Sequence, residues 1–377
     1  MRIGIDYTPA IRQGAGIGRS TRGLVAALAE LDQENAYRLF VAGRGVRGAV
    51  PAAANFRTCW LPLTDRETSL IWQRLRLPIP IELCLGRLDL FHSPDFVLPP
   101  VWSGRRVLTV HDLTFLRVPE HAHPVLREYL VRVVPRSVRR ADLVLADSAS
   151  TRNDVVELLG VEAERVRVVP AGVEERFRPV TDPGELAAVR ERYALERPFI
   201  LGLGTLEPRK NFLGLVEAYA RLLGRRGLPH DLVIVGGKGW LYEPIFRRVG
   251  ELGLGERVRF LGRAADEDLP ALYTLASCLA YPSFYEGFGI PLLEAMACGT
   301  PVVTARTSSL PEVAGAAALY VDPHDPEDLA DALDRVLHDQ ALRQALCQAG
   351  RVQAQQFTWR RAAEALLGAY RSLVDGS

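Results

Sequence analysis

Lysine is almost missing from this 377-residue chain: of 46 basic residues, only Lys210 and Lys238 are lysines. A coding preference for arginine explains the ratio. It does not explain why both lysines stand in glycine-rich segments of the same half, and this singles them out. Net charge is missing too. The 46 basic and 45 acidic residues leave +1, whereas a nucleic-acid binder normally carries a marked basic excess. No apolar run approaches the ~18 residues of a membrane span. The five cysteines (Cys59, Cys84, Cys278, Cys298, Cys347) are scattered, odd in number and without a C-x-x-C pair. That pattern argues against a disulfide framework or a zinc site, and for free thiols. The opening MRIGIDYTP enters a strand pattern directly, with no basic segment followed by an apolar one. The chain is therefore expected in the cytoplasm, with no nucleic-acid partner.

What is present is a regular alternation. Apolar runs at 2–7, 37–43, 88–93, 106–112, 141–148 and 165–172 read as strands buried on both faces, and 17–31, 124–140 and 149–159 carry helical spacing. The rhythm breaks at VPAGVEERFRPVTDPGE (169–185). It resumes with strands at 198–205, 231–237, 257–262, 277–283 and 300–305, and helices near 211–225, 240–252, 266–275 and 290–298. A long helical stretch over 326–349 and an amphipathic helix over 355–374 close the chain. Alternation of this kind implies parallel sheets covered by helices on both sides. The length favours two such domains. Ligands bind outside the carboxyl ends of the strands in these folds, so a cleft between the domains is the expected site.

RQGAGIGRSTRG (12–23) follows the first strand and invites a dinucleotide-binding reading, but the spacing fails. Gly14 and Gly16 need a third glycine at 19, which is Arg19; Gly18 stands one residue early. The second strand also ends without an acid to hold a ribose, which disfavours a nicotinamide enzyme. Two readings remain: a glycine loop that brings backbone N–H groups to an anion, or a plain loop whose helix is capped by Ser20 or Thr21.

The stretch FYEGFGIPLLEAMACGTPVV (284–303) carries Glu286 and Glu294 on either side of a glycine turn and Pro291. Proline suits the first helical position. That places Glu286 in the loop and Glu294 in or just after the first turn, with the N–H groups of Phe288, Gly289 and Ile290 at the positive end of the helix. Such a helix start suits a phosphate. The two acids repel phosphate but accept hydrogen bonds from hydroxyls, and a molecule with hydroxyls on both sides of a phosphate is a nucleotide sugar. Dipole compensation alone would also place an acid at Glu294. The cationic counterpart is GTLEPRKNF (204–212), where Arg209 and Lys210 sit together at a helix entry. Positive charge there would stabilise a departing diphosphate. Lys238, in VGGKGW, is a second candidate.

Three weaker signals remain. VDPHDPEDLADAL (321–333) mixes acids with a histidine, but Asp325 and Pro326 read as a cap and a first helical residue rather than metal ligands. His92 either lines the cleft or satisfies the turn before Pro94. The arginine-rich segment 121–140 reads as a solvated helix face, or as a surface resting on an anionic membrane leaflet.

Together these motifs resemble a known family. EGFGIPLLEA matches the E-x7-E motif of the retaining, GT-B-type glycosyltransferases of family 4. GTLEPRKN, VIVGGKGWLYEPIF, LFHSPDFVLPP and TVHDLTFL resemble its bacterial mannosyltransferase-like members, in order, over nearly the whole chain. The resemblance implies an α/β GT-B fold: two facing doubly wound Rossmann-like domains (1–175, acceptor side; 176–354, nucleotide-sugar donor) and a C-terminal helix (355–377) crossing back to the first. It implies that Glu286 touches the donor sugar and Glu294 the ribose, with Phe288, Gly289 and Ile290 contacting sugar and phosphate through their N–H groups. Lys210 matches the lysine of the family's R-x4-K phosphate pair. Thr205 replaces the arginine of that pair, which makes Arg209 the candidate for the missing charge. His111 matches a histidine near the donor sugar, and Gly14, Gly16 and Gly18 the loop near diphosphate and acceptor. The implied reaction is metal-independent and cofactor-free: a hexose, mannose by resemblance, moves from an NDP-sugar such as GDP-mannose with retention. The implied acceptor is a glycan or polyprenyl-linked glycan of the cell envelope, reached from the cytoplasm with peripheral contact at the inner leaflet through 121–140. The alternatives are an epimerase or phosphorylase of the same fold, or a silent sugar-nucleotide binder.

Overall fold

The computed structural model describes residues 1–14, 16–44 and 48–375. The chain forms two compact units. The first takes residues 1–116, 124–172 and the chain from Thr358 on; the second takes Arg117–His123 and Val173–Phe357.

The first unit holds seven parallel strands: β1 (Arg2–Asp6), β2 (Ala36–Ala42), β3 (Phe56–Leu61), β4 (Leu90–Ser93), β5 (Arg105–Val110), β6 (Leu143–Ala146) and β7 (Val166–Val168). They lie in the order 3-2-1-4-5-6-7. The second holds six: β8 (Phe199–Leu203), β9 (Asp231–Val235), β10 (Val258–Gly262), β11 (Cys278–Tyr281), β12 (Val302–Ala305) and β13 (Ala318–Val321), in the order 10-9-8-11-12-13. Both are doubly wound sheets that grow one way from the first strand and then the other. Each therefore has one point where the order reverses, between β1 and β4 and between β8 and β11. The loops there part to opposite sides and leave a crevice for a ligand.

The inner strands β4, β6, β9, β11 and β12 are buried throughout, in keeping with their largely apolar sequences. Two strands escaped the sequence reading, β3 and β13. Both are edge strands covered on fewer sides, and their burial patterns are mixed. The stretch 326–349 is two helices, Pro326–His338 and Gln340–Ala354. Asp339 between them is extended, and its side chain accepts from Leu342 N at 2.9 Å to cap the second. Asp325 caps the first by accepting from Glu327 N at 2.9 Å.

The last helix, Trp359–Asp375, belongs to the first unit and packs on the helix Ile17–Leu31. Its Ala363, Leu366 and Tyr370 join Ile3, Ile5, Leu28 and Leu90 in one core. His92 ties this helix in: its Nδ1 meets Tyr370 OH at 2.7 Å and its Nε2 meets Thr109 Oγ1 at 2.8 Å. Burial pushes the imidazole down to about 3, so it stays neutral. His92 is thus a core tie and not a cleft residue.

The cysteines require a correction. Cys59 on β3 and Cys84 on the short helix Glu82–Leu85 form a disulfide, with Cα atoms 6.5 Å apart. Cys278 and Cys298 are free and buried, and Cys347 is free and half-buried. Scatter along the sequence says nothing about proximity across 25 residues, which the packing of these two elements decides. No helix among the described residues is long and apolar enough to cross a membrane.

Candidate functional site

The crevice of the second unit is built by the loops after β8 and β11. After β8 the chain passes Gly204–Glu207, makes one tight turn at Pro208–Lys210 and enters the helix Phe212–Arg226. Asn211, at φ 55°, reverses the chain; its side-chain Oδ1 accepts from Gly214 N, and its side-chain Nδ2 donates to Pro282 O (3.1 Å) and Pro323 O (2.7 Å). One buried amide thus pins the loops after β11 and β13 against the β8 loop. The neighbouring loop after β9 comes close enough that a Cβ on Gly236 would fall 1.8 Å from Gly204 O, so only glycine fits there.

Into this frame the chain sets a compact charge cluster. Lys210 Nζ donates to Glu286 Oε1 at 2.6 Å and to Tyr281 OH at 2.5 Å. Arg209 Nη1 donates to Glu286 Oε2 and to Tyr285 O, at 2.5 and 2.9 Å, and Nη2 to Glu207 Oε1 at 2.7 Å. All four charged side chains are 15% exposed or less. Burial alone would raise the Glu286 carboxyl, but the adjacent Arg209 and Lys210 charges overcome this and hold it at about 2. Burial moves Lys210 the other way, below its ordinary value, against the pull of Glu286. Two cations and two carboxylates balance, so without ligand the cluster is neutral. A diphosphate entering the crevice would compete with Glu286 for the two cations.

The helix after this loop runs Ile290–Ala297, with Gly289 as its N-cap at φ 105°, a value that glycine alone adopts without strain. Ile290 is its first residue and Pro291 its second, so the start lies one residue earlier than the proline suggested. As at any helix start, the first N–H groups have no acceptor within the helix. Glu294 lies just past the first turn, is buried, and accepts from Tyr273 OH at 2.7 Å. The loop is held from the side: Ser308 Oγ accepts from Glu286 N, and Ser309 Oγ donates to Glu286 O and Phe288 O.

The structure therefore gathers Arg209, Lys210 and Glu286 into one cluster, with Glu294 on the helix that follows. It does not add Lys238, whose exposed ammonium lies over the rings of Tyr242 (5.1 Å) and Phe246 (5.3 Å). Thr205 sits exposed on the β8 loop. The sequence reading missed Glu207, Tyr281, Tyr273, Ser308 and Ser309. Glu207 lay within a motif already singled out, but the two serines come from a loop with no motif at all. A further segment also went unread: Arg117–His123 belongs to the second unit. There the His121 ring lies 4.7 Å from that of Phe284, the His324 ring lies tilted at 4.8 Å from the same phenyl ring, and Trp240 Nε1 donates to His121 O. The helix that follows runs Pro124–Arg140, as the spacing over 124–140 indicated.

In the first unit, His111 follows β5 with both ring nitrogens engaged, by Asp147 Oδ2 and by Pro94 O, each at 2.7 Å. Burial would lower its pKa, but Asp147 raises it to about 9. The ring is thus an imidazolium at neutral pH, donating to both partners. Gly16 is the N-cap of Ile17–Leu31, in place of Ser20 or Thr21, which lie inside that helix. Gly14 is exposed and Gly18 is buried against Gln13 O. Among the described residues no group of three His, Cys, Asp or Glu could hold a metal ion.

Comparison with known proteins agrees with this architecture. Residues 188–353 match the model of the glycosyl transferases group 1, and residues 14–177 that of glycosyltransferase family 4. O-antigen chain mannosyltransferase B of Escherichia coli is 37% identical over 287 residues, covering 75% of this chain and 74% of that protein. A D-inositol 3-phosphate glycosyltransferase of Corynebacterium jeikeium is 34% identical over 306 residues, 76% of this chain and 72% of its own. Among solved structures, sucrose-phosphate synthase from Thermosynechococcus elongatus matches all of both chains with a TM-score of 0.79 and 25% identity. With both halves matched in order and relatives above 30% identity, the chain belongs to the group 1, family 4 glycosyltransferases and is a glycosyltransferase.

Proposed function

We propose that this enzyme moves a hexosyl group, mannosyl in the first instance, from a nucleoside-diphosphate sugar to a hydroxyl of a glycan or polyprenyl-linked glycan, with retention and without a metal. The observation that carries the reading is the Arg209–Lys210–Glu286 cluster in the crevice between β8 and β11, beside the open helix start at Ile290. In the reaction the bond from the sugar C1 to the diphosphate oxygen breaks and a bond from C1 to the acceptor oxygen forms. The acceptor's proton passes to a phosphate oxygen of the leaving group. Lys210 and Arg209 would bind the charge that develops on the diphosphate, with Arg209 supplying what Thr205 cannot. Stabilisation of this kind is typically the largest protein contribution to such a step. Glu286, released from the cations, would accept hydrogen bonds from the sugar hydroxyls, and Glu294 from the ribose. Mannose and an envelope polysaccharide are favoured by the likeness to O-antigen chain mannosyltransferase B.

The test is a donor panel of GDP-mannose, UDP-glucose and ADP-glucose with a mannose-terminated oligosaccharide acceptor, run with and without EDTA. The product's anomeric configuration is read by NMR. Release of GDP coupled to a new α-mannosyl linkage, unaffected by EDTA, is expected. Release from a different donor, an inverted product, or loss of activity in EDTA would each overturn the corresponding part.

A further inference from the structure

The first unit has its own crevice where the strand order reverses, and it is open. A cavity of about 610 Å³ lies at the ends of β1, β2 and β4, well inside the ~300–1,000 Å³ range of small-ligand sites. Asp6, the last residue of β1, and Asp95, just past β4, both line it. Asp6 accepts from Thr8 N at 2.9 Å and Asp95 from Gln13 Nε2 at 3.2 Å. Among the described residues neither forms an ion pair. Arg12 also belongs to the lining, and the His111 imidazolium acts on Asp95 from outside it. Burial pushes both acids above their ordinary values. A chain that keeps two such groups in a cavity retains acceptor capacity there, because each carboxylate can take several hydrogen bonds.

The lining is also aromatic. Trp72 is half-buried and tilted against Phe40, with centroids 5.9 Å apart, and its Nε1 is tied to Ile79 O at 2.9 Å, which fixes the indole plane. Tyr129 OH meets Ser69 Oγ at 3.2 Å on the same lining. A pyranose presents an apolar C–H face and a rim of hydroxyl donors, and both are matched here. A phosphate would instead meet two carboxylates, and a lipid tail would leave them desolvated and unpaired. We infer that this cavity is the acceptor subsite, and that it takes the uncharged pyranose end of a glycan rather than a phosphorylated polyol. Asp6 and Asp95 receive its hydroxyls, and Trp72 carries its C–H face. This rests on the transferase reading above.

The experiment is binding without donor. Methyl α-D-mannopyranoside and D-mannose 6-phosphate are titrated into the full chain by saturation-transfer NMR, alongside Asp95→Asn, Asp6→Asn and Trp72→Ala. The neutral glycoside is expected to bind the wild type, and to bind about tenfold more weakly in Asp95→Asn and Trp72→Ala, as for a lost hydrogen bond or stacking surface. The 6-phosphate should bind more weakly than the glycoside, with the gap narrowing in Asp95→Asn. Saturation transfer absent at tens of millimolar glycoside, equal or tighter binding of the 6-phosphate, or affinity unchanged in all three variants would each overturn the assignment. Nucleotide-induced thermal shifts on the same proteins report the second unit separately. Shifts with no glycoside effect sink this inference and leave the transferase reading standing, whereas no shift with any nucleotide sinks that reading itself.

Discussion

The two crevices sit on one topology and carry opposite chemistry. In the first unit, Asp6 and Asp95 line the reversal point without a cation bonded to either among the described residues, and Asp6 is pushed up to about 6. In the second, Glu286 sits at the equivalent place between Arg209 and Lys210 and is held down at about 2. The sheet order is shared; the difference comes from a few residues in the loops after the strands. A doubly wound sheet therefore fixes where a ligand goes, and the loop charges fix which ligand it is. On the proposed reading, the neutralised cluster would exchange Glu286 for a diphosphate, and the Asp6–Asp95 pair would take hydroxyls.

The contrast is broken most severely at Lys210. Lys210→Met should lower transfer by about 100- to 1,000-fold, the usual cost of losing one donor that stabilises developing charge, as measured by release of nucleoside diphosphate at saturating acceptor. Activity near wild type would remove the cluster from the reaction.

Next in size is stability, where the two acids should respond with opposite signs. Glu286→Gln leaves Arg209 and Lys210 buried without their shared partner and should cost on the order of 3 kcal/mol at neutral pH. Asp6→Asn should stabilise at neutral pH by on the order of 2 kcal/mol, since burial destabilises the ionised acid. The pH windows follow from the directions. The Glu286 contribution is whole above its ordinary 4.5 and is lost as pH falls toward about 2. The Asp6 penalty is absent below its ordinary 3.8 and grows as pH rises through about 6. Thermal melts of both variants at pH 4 and pH 8 check this (roughly below and above the Asp6 window), and shifts of the same sign at the upper pH would refute the contrast.

A smaller effect sharpens the role of Arg209. Arg209→Ala should weaken nucleotide binding by about tenfold, as for one charge-assisted hydrogen bond. Thr205→Arg in the same chain should restore part of it if Arg209 supplies the charge that position 205 lacks. Isothermal titration with the nucleoside diphosphate reads both, and an unaltered double variant would assign Arg209 to structure alone. Smallest is the covalent difference between the units. Thiol titration of the unfolded, unreduced chain should count the three free cysteines Cys278, Cys298 and Cys347, and after reduction all five. Five thiols before reduction would exclude the Cys59–Cys84 bond.

Much of the second crevice was legible because its parts are local. Glu286, Gly289 and Pro291 announce a loop and a helix start within a few residues, and Arg209 and Lys210 announce a charged turn. The rest arrives from distance. Ser308 and Ser309 reach back more than 20 residues to hold Glu286 and Phe288, and no spacing rule encodes that. The cavity of the first unit was invisible for the same reason. Asp6, Trp72, Asp95 and Tyr129 come from four separate segments, and no spacing rule joins them, although two of those segments drew notice on other grounds. The disulfide and the edge strands β3 and β13 were missed because they depend on neighbours in space, not in sequence.

By itself the sequence determined the class of fold and the family of chemistry. Strand and helix periodicity, turn residues and charged motifs act over a few residues, and the chain writes them in order. Only the tertiary structure decided which charges meet and which do not. Glu286 lies more than 70 residues from the Arg209 and Lys210 that discharge it. Asp6 lies almost 90 residues from the Asp95 that shares its cavity. Electrostatic energy depends on distance and burial after folding, and a carboxylate is therefore an ion-pair partner held low in one crevice and, in the other, an acid raised by burial.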